Sequence, residues 1–299
     1  MSLITGNAYI LLTITSLCWA GNAIAGQLAR GQISPMMVTM LRWLIVAGLL
    51  AVIYRKELRQ YWPEIRAHGG KLIAMASIGF TGFNALFYLA STKTTGVNIG
   101  ILQGSIPVIV LIGSFFVYRT AITALQAVGV LVTLTGAITV AVQGDFGRLL
   151  ALNINPGDGI MLFACVLYSG YTVALKNRPK LPGLVFMTVL AIIAFAASLP
   201  LALLEFLTGN VIWPTSQGWM VTFFIALFPS FIAQICFIRG VELIGPGRAG
   251  VFVNLVPVFA ALLAVLILGE IFRNYHGLAL ALVLGGIWLA ERGKAKLAS

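Results

Sequence analysis

Long apolar runs separated by short polar breaks dominate the chain. Ten runs have the length of a membrane-spanning helix: about 7–29, 34–54, 71–91, 96–117, 122–142, 158–176, 183–206, 218–239, 247–268 and 275–291. Crossing the hydrocarbon core takes about 20 apolar residues as a helix. Pro35, Pro182 and Pro246 fall just inside predicted helix starts, where a missing backbone N–H costs nothing. Of the polar breaks, only 55–70, 143–157 and 207–217 could hold even a small surface segment. The pattern therefore predicts an all-α integral membrane protein with ten spans and no soluble domain.

Composition agrees with the pattern. Apolar residues make up 60% of the chain and charged ones 9%, against about 25% charge in a soluble domain. Nineteen Lys+Arg against eight Asp+Glu give a net charge of +11. In a soluble protein that excess would raise nucleic acid as a partner; across ten spans it reports topology. Arg30, Lys93, Arg148 and Arg273 fall on one side, Arg42 lies within a span, and the other fourteen basic residues fall on the opposite side. Basic loops stay cytoplasmic, so both termini are expected there. Cys18, Cys165 and Cys236 all lie in apolar runs with no metal-type spacing and read as small packing residues. The first apolar run lacks the flanks of a cleaved signal and reads as a retained helix.

An internal repeat emerges at a shift of about 150 residues. It places Phe87 on Phe237, Gly100 on Gly250, Pro107 on Pro257, Leu134 on Leu284 and Gly136 on Gly286. Slightly smaller offsets pair Trp19 with Tyr168, and Pro35 with Pro182. The implied units are 1–142, a connecting loop 143–157, and 158–299 with a short cytoplasmic tail. Five helices per unit is odd, so the second unit enters the membrane from the opposite side. Inverted repeats of this kind are a common plan of secondary transporters, with the substrate near midplane between the halves.

The stretch NLVPVFAALLAVLILGEIF at 254–272, with Gly277 and Gly285-Gly286 after it, and its looser counterpart GSIPVIVLIGSFFVYRTAI at 104–122 resemble the drug/metabolite transporter superfamily. The likeness covers nearly the whole chain and is similar to ten-helix EamA-type permeases. It implies alternating-access export of small metabolites, with aromatic and neutral amino acids the expected substrates. A multidrug or quaternary-cation exporter of the same superfamily is the alternative. Thr120 stands where the second half has Glu270, so the second half carries the pattern better.

Polar and aromatic residues within spans are the candidate substrate-binding set. Trp19 and Asn22 share a face at i, i+3, as do Tyr168 and Tyr171; Asn84 and Tyr88 share one at i, i+4; Gln103, Gln234 and Asn254 sit singly in other spans. An amide facing lipid unpaired would be costly, so these groups are expected to face the bundle interior, around a cavity suited to zwitterions with apolar or aromatic side chains. Arg42 follows Ser34 by eight residues, a depth of about 12 Å in a helix. A charge there costs about 2.5–3.5 kcal/mol on insertion scales, and it is a candidate for a substrate carboxylate. Gly96, Gly100 and Gly104, spaced by four, form a flat ridge for gating motion; Pro107 and Pro257 are expected to bend their helices, and Glu270 is a candidate gate residue.

Other chemistries lack their residues. No Asp, Glu or His sits securely at midplane, as a proton relay would require, so downhill export fits better. A channel would need a continuous polar stripe. An intramembrane enzyme would need a nucleophile set or paired carboxylates, and the two histidines lie in separate loops. No catalytic residue, cofactor or metal is expected. The expected partners are the lipid bilayer and a small-molecule substrate, not nucleic acid, with a monomer as the transporting unit.

Overall fold

In the computed structural model, residues 6–94, 99, 102–142, 144–147, 156–268 and 271–293 are described. The protein is all helical, with no strand among the described residues. The ten apolar helices are α1 (Ala8–Leu28), α2 (Pro35–Ile53), α3 (Gly69–Ser91), α4 (Ile106–Tyr118), α5 (Ala124–Ala141), α6 (Pro156–Asn177), α7 (Gly183–Leu207), α8 (Ser216–Ile244), α9 (Pro246–Val251 and Leu255–Leu268, joined by a 3-10 turn) and α10 (Asn274–Arg292). Among the described residues, seven are long and apolar enough to cross a membrane; α4, α5 and α10 are shorter apolar helices. Large apolar side chains such as Val52, Leu207 and Leu266 point outward at 73%, 71% and 80% exposure, which only a lipid environment makes tolerable. The protein is a multi-pass membrane protein.

Packing follows the inverted repeat. Helix α2 packs on α7, α5 on α10 and α4 on α9, each pairing a helix with its counterpart in the other half. Helix α1 packs on α8 and α9, and its counterpart α6 packs on α3 and α4. Exchanging the halves therefore returns the same set of neighbours. The α5–α10 seam is the most intimate, because glycines let the backbones meet. A Cβ on Gly286 would fall 2.7 Å from the Gly129 carbonyl oxygen and the Thr133 amide nitrogen, and one on Gly136 would fall 2.9 Å from the Ala279 oxygen.

Among the described residues, four helices are interrupted within their length, in matched pairs. Helix α3 widens to a π-helix over Ser77–Gly82, and α8 does so over Ala226–Ile232. On the α4 side, Leu102 and Gln103 are helical, Gly104 and Ser105 form a turn, and α4 resumes at Ile106 with Pro107 in its first turn. Helix α9 is interrupted by its 3-10 turn at Phe252–Asn254, with Pro257 just beyond. At the α4 and α9 interruptions a carbonyl is taken up by a neighbouring helix. The Ser16 hydroxyl donates to the Phe252 oxygen at 2.8 Å, and the Cys165 thiol to the Leu102 oxygen at 3.4 Å. Within the expected glycine ridge, Gly104 is buried in the turn. Gly96, Gly100 and Glu270 lie outside the described residues.

Candidate functional site

The matched interruptions converge on Arg42, and the first side chains to meet there come from both halves. Arg42, on α2, is 3% exposed. Its Nε donates to the Ser230 hydroxyl at 2.7 Å, and one terminal nitrogen donates to Asn84 Oδ1 at 2.8 Å and to the Tyr88 hydroxyl at 3.1 Å. Ser230 belongs to the π segment of α8, and its hydroxyl donates to the Ile225 carbonyl at 2.6 Å. The wider π register is what leaves that carbonyl within reach. On the opposite side, Asn84 follows the π segment of α3 and donates through Nδ2 to the Phe80 carbonyl at 2.6 Å. Tyr88 passes the chain on, donating to Asn22 Oδ1 at 3.3 Å.

Aromatic stacking fixes the helix that carries this guanidinium. Trp43 lies flat on Phe80, with ring centroids 4.6 Å apart and planes at 6°, and the Arg42 guanidinium sits 5.4 Å from the Trp43 ring centroid. Among the described residues no carboxylate pairs with Arg42; Glu242 at the end of α8, for example, pairs instead with Arg178 and Arg239. The positive charge is thus hydrogen-bonded but not neutralised.

Arg42 borders a cavity of about 50 Å³ together with Trp19, Asn22, Asn84, Gln103, Tyr168 and Gln234. Phe83, Phe87, Ile106, Pro229, Val253 and Val256 complete its wall. The aromatic side is built by Tyr168, whose ring meets Trp19 edge-on at 5.6 Å and Phe83 at 4.9 Å. The Trp19 indole donates to the Pro229 carbonyl at 3.3 Å. A space of this size accommodates one or two waters. Contacts between the halves hold it at both ends. At the end poor in basic residues, the Thr215 and Ser34 amides donate to the Gln32 and Ile212 carbonyls at 3.0 and 3.1 Å. There Glu205 of α7 also accepts from the Ser34 hydroxyl and from the Met36 and Met37 amides of α2. At the basic end, Lys71 donates to the Asn177 carbonyl and Thr123 to the Gly293 carbonyl.

Seven of the ten sequence-derived candidates therefore share one cavity. The other three are placed elsewhere. Tyr88 stands behind Arg42 and faces a separate space of about 280 Å³ bordered by Arg30, Ser91 and Ile212. Tyr171 packs its ring on Gly79, where a Cβ would fall 2.4 Å away, and edge-on to Phe80 at 5.2 Å. Asn254 donates to the Thr133 hydroxyl at 2.8 Å, joining α9 to α5. Sequence reasoning missed Ser230 and Pro229; a proline within an apolar run at the point equivalent to the glycine-rich Ser77–Gly82 was the signal available.

Comparison with known proteins identifies the family. The sequence profile of the EamA-like transporter family matches residues 6–142 and again 155–291. The uncharacterized transporter YetK of Bacillus subtilis (strain 168) is 25% identical over 292 residues, covering 94% of this chain and 86% of that one. The uncharacterized transporter YyaM of the same organism is 24% identical over 296 residues, covering 95% and 93%. A solved structure described as "Crystal structure of protein" superposes with a TM-score of 0.78 at 21% identity, covering 98% of this chain and 99% of that one; it shares the fold. With both halves matched, this chain belongs to the EamA-like transporter family and is a membrane transporter.

Proposed function

We propose that this transporter exports small carboxylate-bearing metabolites, aromatic and neutral amino acids foremost, from the cytoplasm across the inner membrane by alternating access, with both termini cytoplasmic. The observation that carries this reading is Arg42: a buried guanidinium bordering the cavity between the halves, with no carboxylate paired to it among the described residues. A buried cation without a counter-ion is an unneutralised cost in low dielectric. A substrate carboxylate supplies the missing charge, and Arg binds carboxylates in a planar two-bond geometry. Trp19, Phe83, Phe87 and Tyr168 supply a wall for an apolar or aromatic side chain. The same arginine argues against organic cations, which it would repel, and among the described residues no carboxylate borders the cavity.

Proteoliposomes carrying the purified protein test the reading. Saturable flux of labelled phenylalanine, leucine or related amino acids is expected, and it should fall at least several-fold in Trp19→Ala. Saturable flux of quaternary cations with an inert amino-acid panel would overturn it.

A further inference from the structure

The cavity has a second pole, and it is chemically the opposite of Arg42. The amide oxygen of Gln234 is buried without a hydrogen-bond partner, and the hydroxyl of Tyr168 is buried against the same side chain, whose amide it engages. Both side chains border the cavity and lie beside one another. Gln234 is 7% exposed, so water does not simply bathe it. Its counterpart in the repeat makes the contrast plain. Asn84 occupies the equivalent place in α3 and uses both ends of its amide, accepting from Arg42 and donating to the Phe80 carbonyl. Asn84 has both ends engaged by its own half, through α3 and α2; Gln234 keeps its oxygen open. Buried acceptors are nearly always paired, and leaving one open toward a binding cavity reserves it for a donor that arrives from outside.

Resting on the carboxylate reading above, we propose that Gln234, through its amide oxygen, is the specificity-determining residue for the substrate's ammonium group, with the Tyr168 hydroxyl oxygen as second acceptor. An ammonium has three protons and no lone pair; Gln234 and Tyr168 supply two acceptors. The Tyr168 and Trp19 rings, which border the cavity and meet edge-on at 5.6 Å, add aromatic surface that attracts a cation. Arg42 at one pole and Gln234 at the other then define a receptor for a zwitterion. A carboxylate without the amine satisfies Arg42 alone. A site built to hydrogen-bond a polar group discriminates strongly against the analogue that lacks it.

The test uses two probes with the same ring and carboxylate, labelled phenylalanine and labelled 3-phenylpropionate, in proteoliposomes at neutral pH. The wild type should carry phenylalanine with a specificity constant about tenfold or more above that of 3-phenylpropionate. Gln234→Leu should bring the ratio near one by losing phenylalanine flux alone, and Tyr168→Phe should lower it less. Persistence of 3-phenylpropionate flux in Gln234→Leu shows that the variant is folded and that Arg42 still works. A wild-type ratio near one, or an unchanged ratio in Gln234→Leu, overturns the assignment of Gln234 while leaving the carboxylate reading standing. Saturable flux of neither probe, with the wider amino-acid panel also inert, overturns both.

Discussion

Arg42 of the first half and Ser230 of the second are joined by a 2.7 Å hydrogen bond from guanidinium Nε to hydroxyl. Ser230 relays it onward by donating to the Ile225 carbonyl, so one serine satisfies a buried charge and a carbonyl released by the π register together. Ser230→Ala strips both partners. The expected loss is about 1–3 kcal/mol of stability, read as a lower thermal midpoint in detergent. An unchanged midpoint would mean that the bond adds nothing to holding the halves together.

Arg42 itself separates charge from geometry. Arg42→Lys keeps the charge but replaces a planar fork with a point charge, and it cannot reach Ser230, Asn84 and Tyr88 in the same arrangement. Transport is expected to fall about tenfold in the lysine variant. Arg42→Gln also removes the charge and should cost about a hundredfold or more. Because a buried charge costs insertion energy, the glutamine variant should still accumulate as folded protein. Initial rates in liposomes, normalised to reconstituted protein, check both, and equal rates in lysine and glutamine variants would contradict the charge argument.

Adjacent glycines on α10 give a clean packing test. A Cβ on Gly286 would collide with the Gly129 carbonyl and the Thr133 amide, whereas one on Gly285 meets nothing within 4 Å. Gly286→Ala should therefore force α5 and α10 apart and reduce the monodisperse yield several-fold on size exclusion. Gly285→Ala should behave as wild type. Similar behaviour of the two would argue that the seam is plastic.

Glu205 tests the tie at the end poor in basic residues. Its carboxylate sits at the N-terminus of α2, accepting from the Ser34 hydroxyl and from two amides, at 3.2 Å for Met36 and 3.1 Å for Met37. A negative group there meets unpaired N–H groups and the positive end of the helix dipole. Glu205→Ala should cost about 0.5–2 kcal/mol, and Glu205→Gln less, since one acceptor remains. Amide hydrogen exchange at Met36 and Met37 reads the effect locally, and unchanged exchange there would refute the capping role.

The sequence made the helices legible because each is an apolar run bounded by charge, proline or glycine. Pro107 and Pro257 also pointed to irregular geometry near the right places. The structure adds that the irregularity begins before each proline, at Gly104–Ser105 and at Phe252–Asn254. The π segments were not legible, since a change of hydrogen-bond register from i+4 to i+5 leaves little trace in composition; Ser77–Gly82 contains no proline at all. Helical spacing placed Tyr171 and Asn254 inward correctly, but inward has more than one destination in a ten-helix bundle. Tyr171 fills the space over Gly79, and Asn254 ties α9 to Thr133. Only the fold tells those interiors from the cavity.

The pairing of α2 with α7 and of α5 with α10 makes the scaffold nearly indifferent to which half occupies which role. Two identical halves would give the two end states of the cycle equal energy, with no resting preference. Arg42 removes that equality. The corresponding stretch of α7 around Val189 is apolar, so the Arg42 guanidinium has no counterpart there. Exchanging the conformations of the halves puts it in a different electrostatic setting. If the halves alternate as proposed, the empty carrier thereby acquires a preferred direction to face, and a membrane potential acquires a charge within the bilayer on which to act.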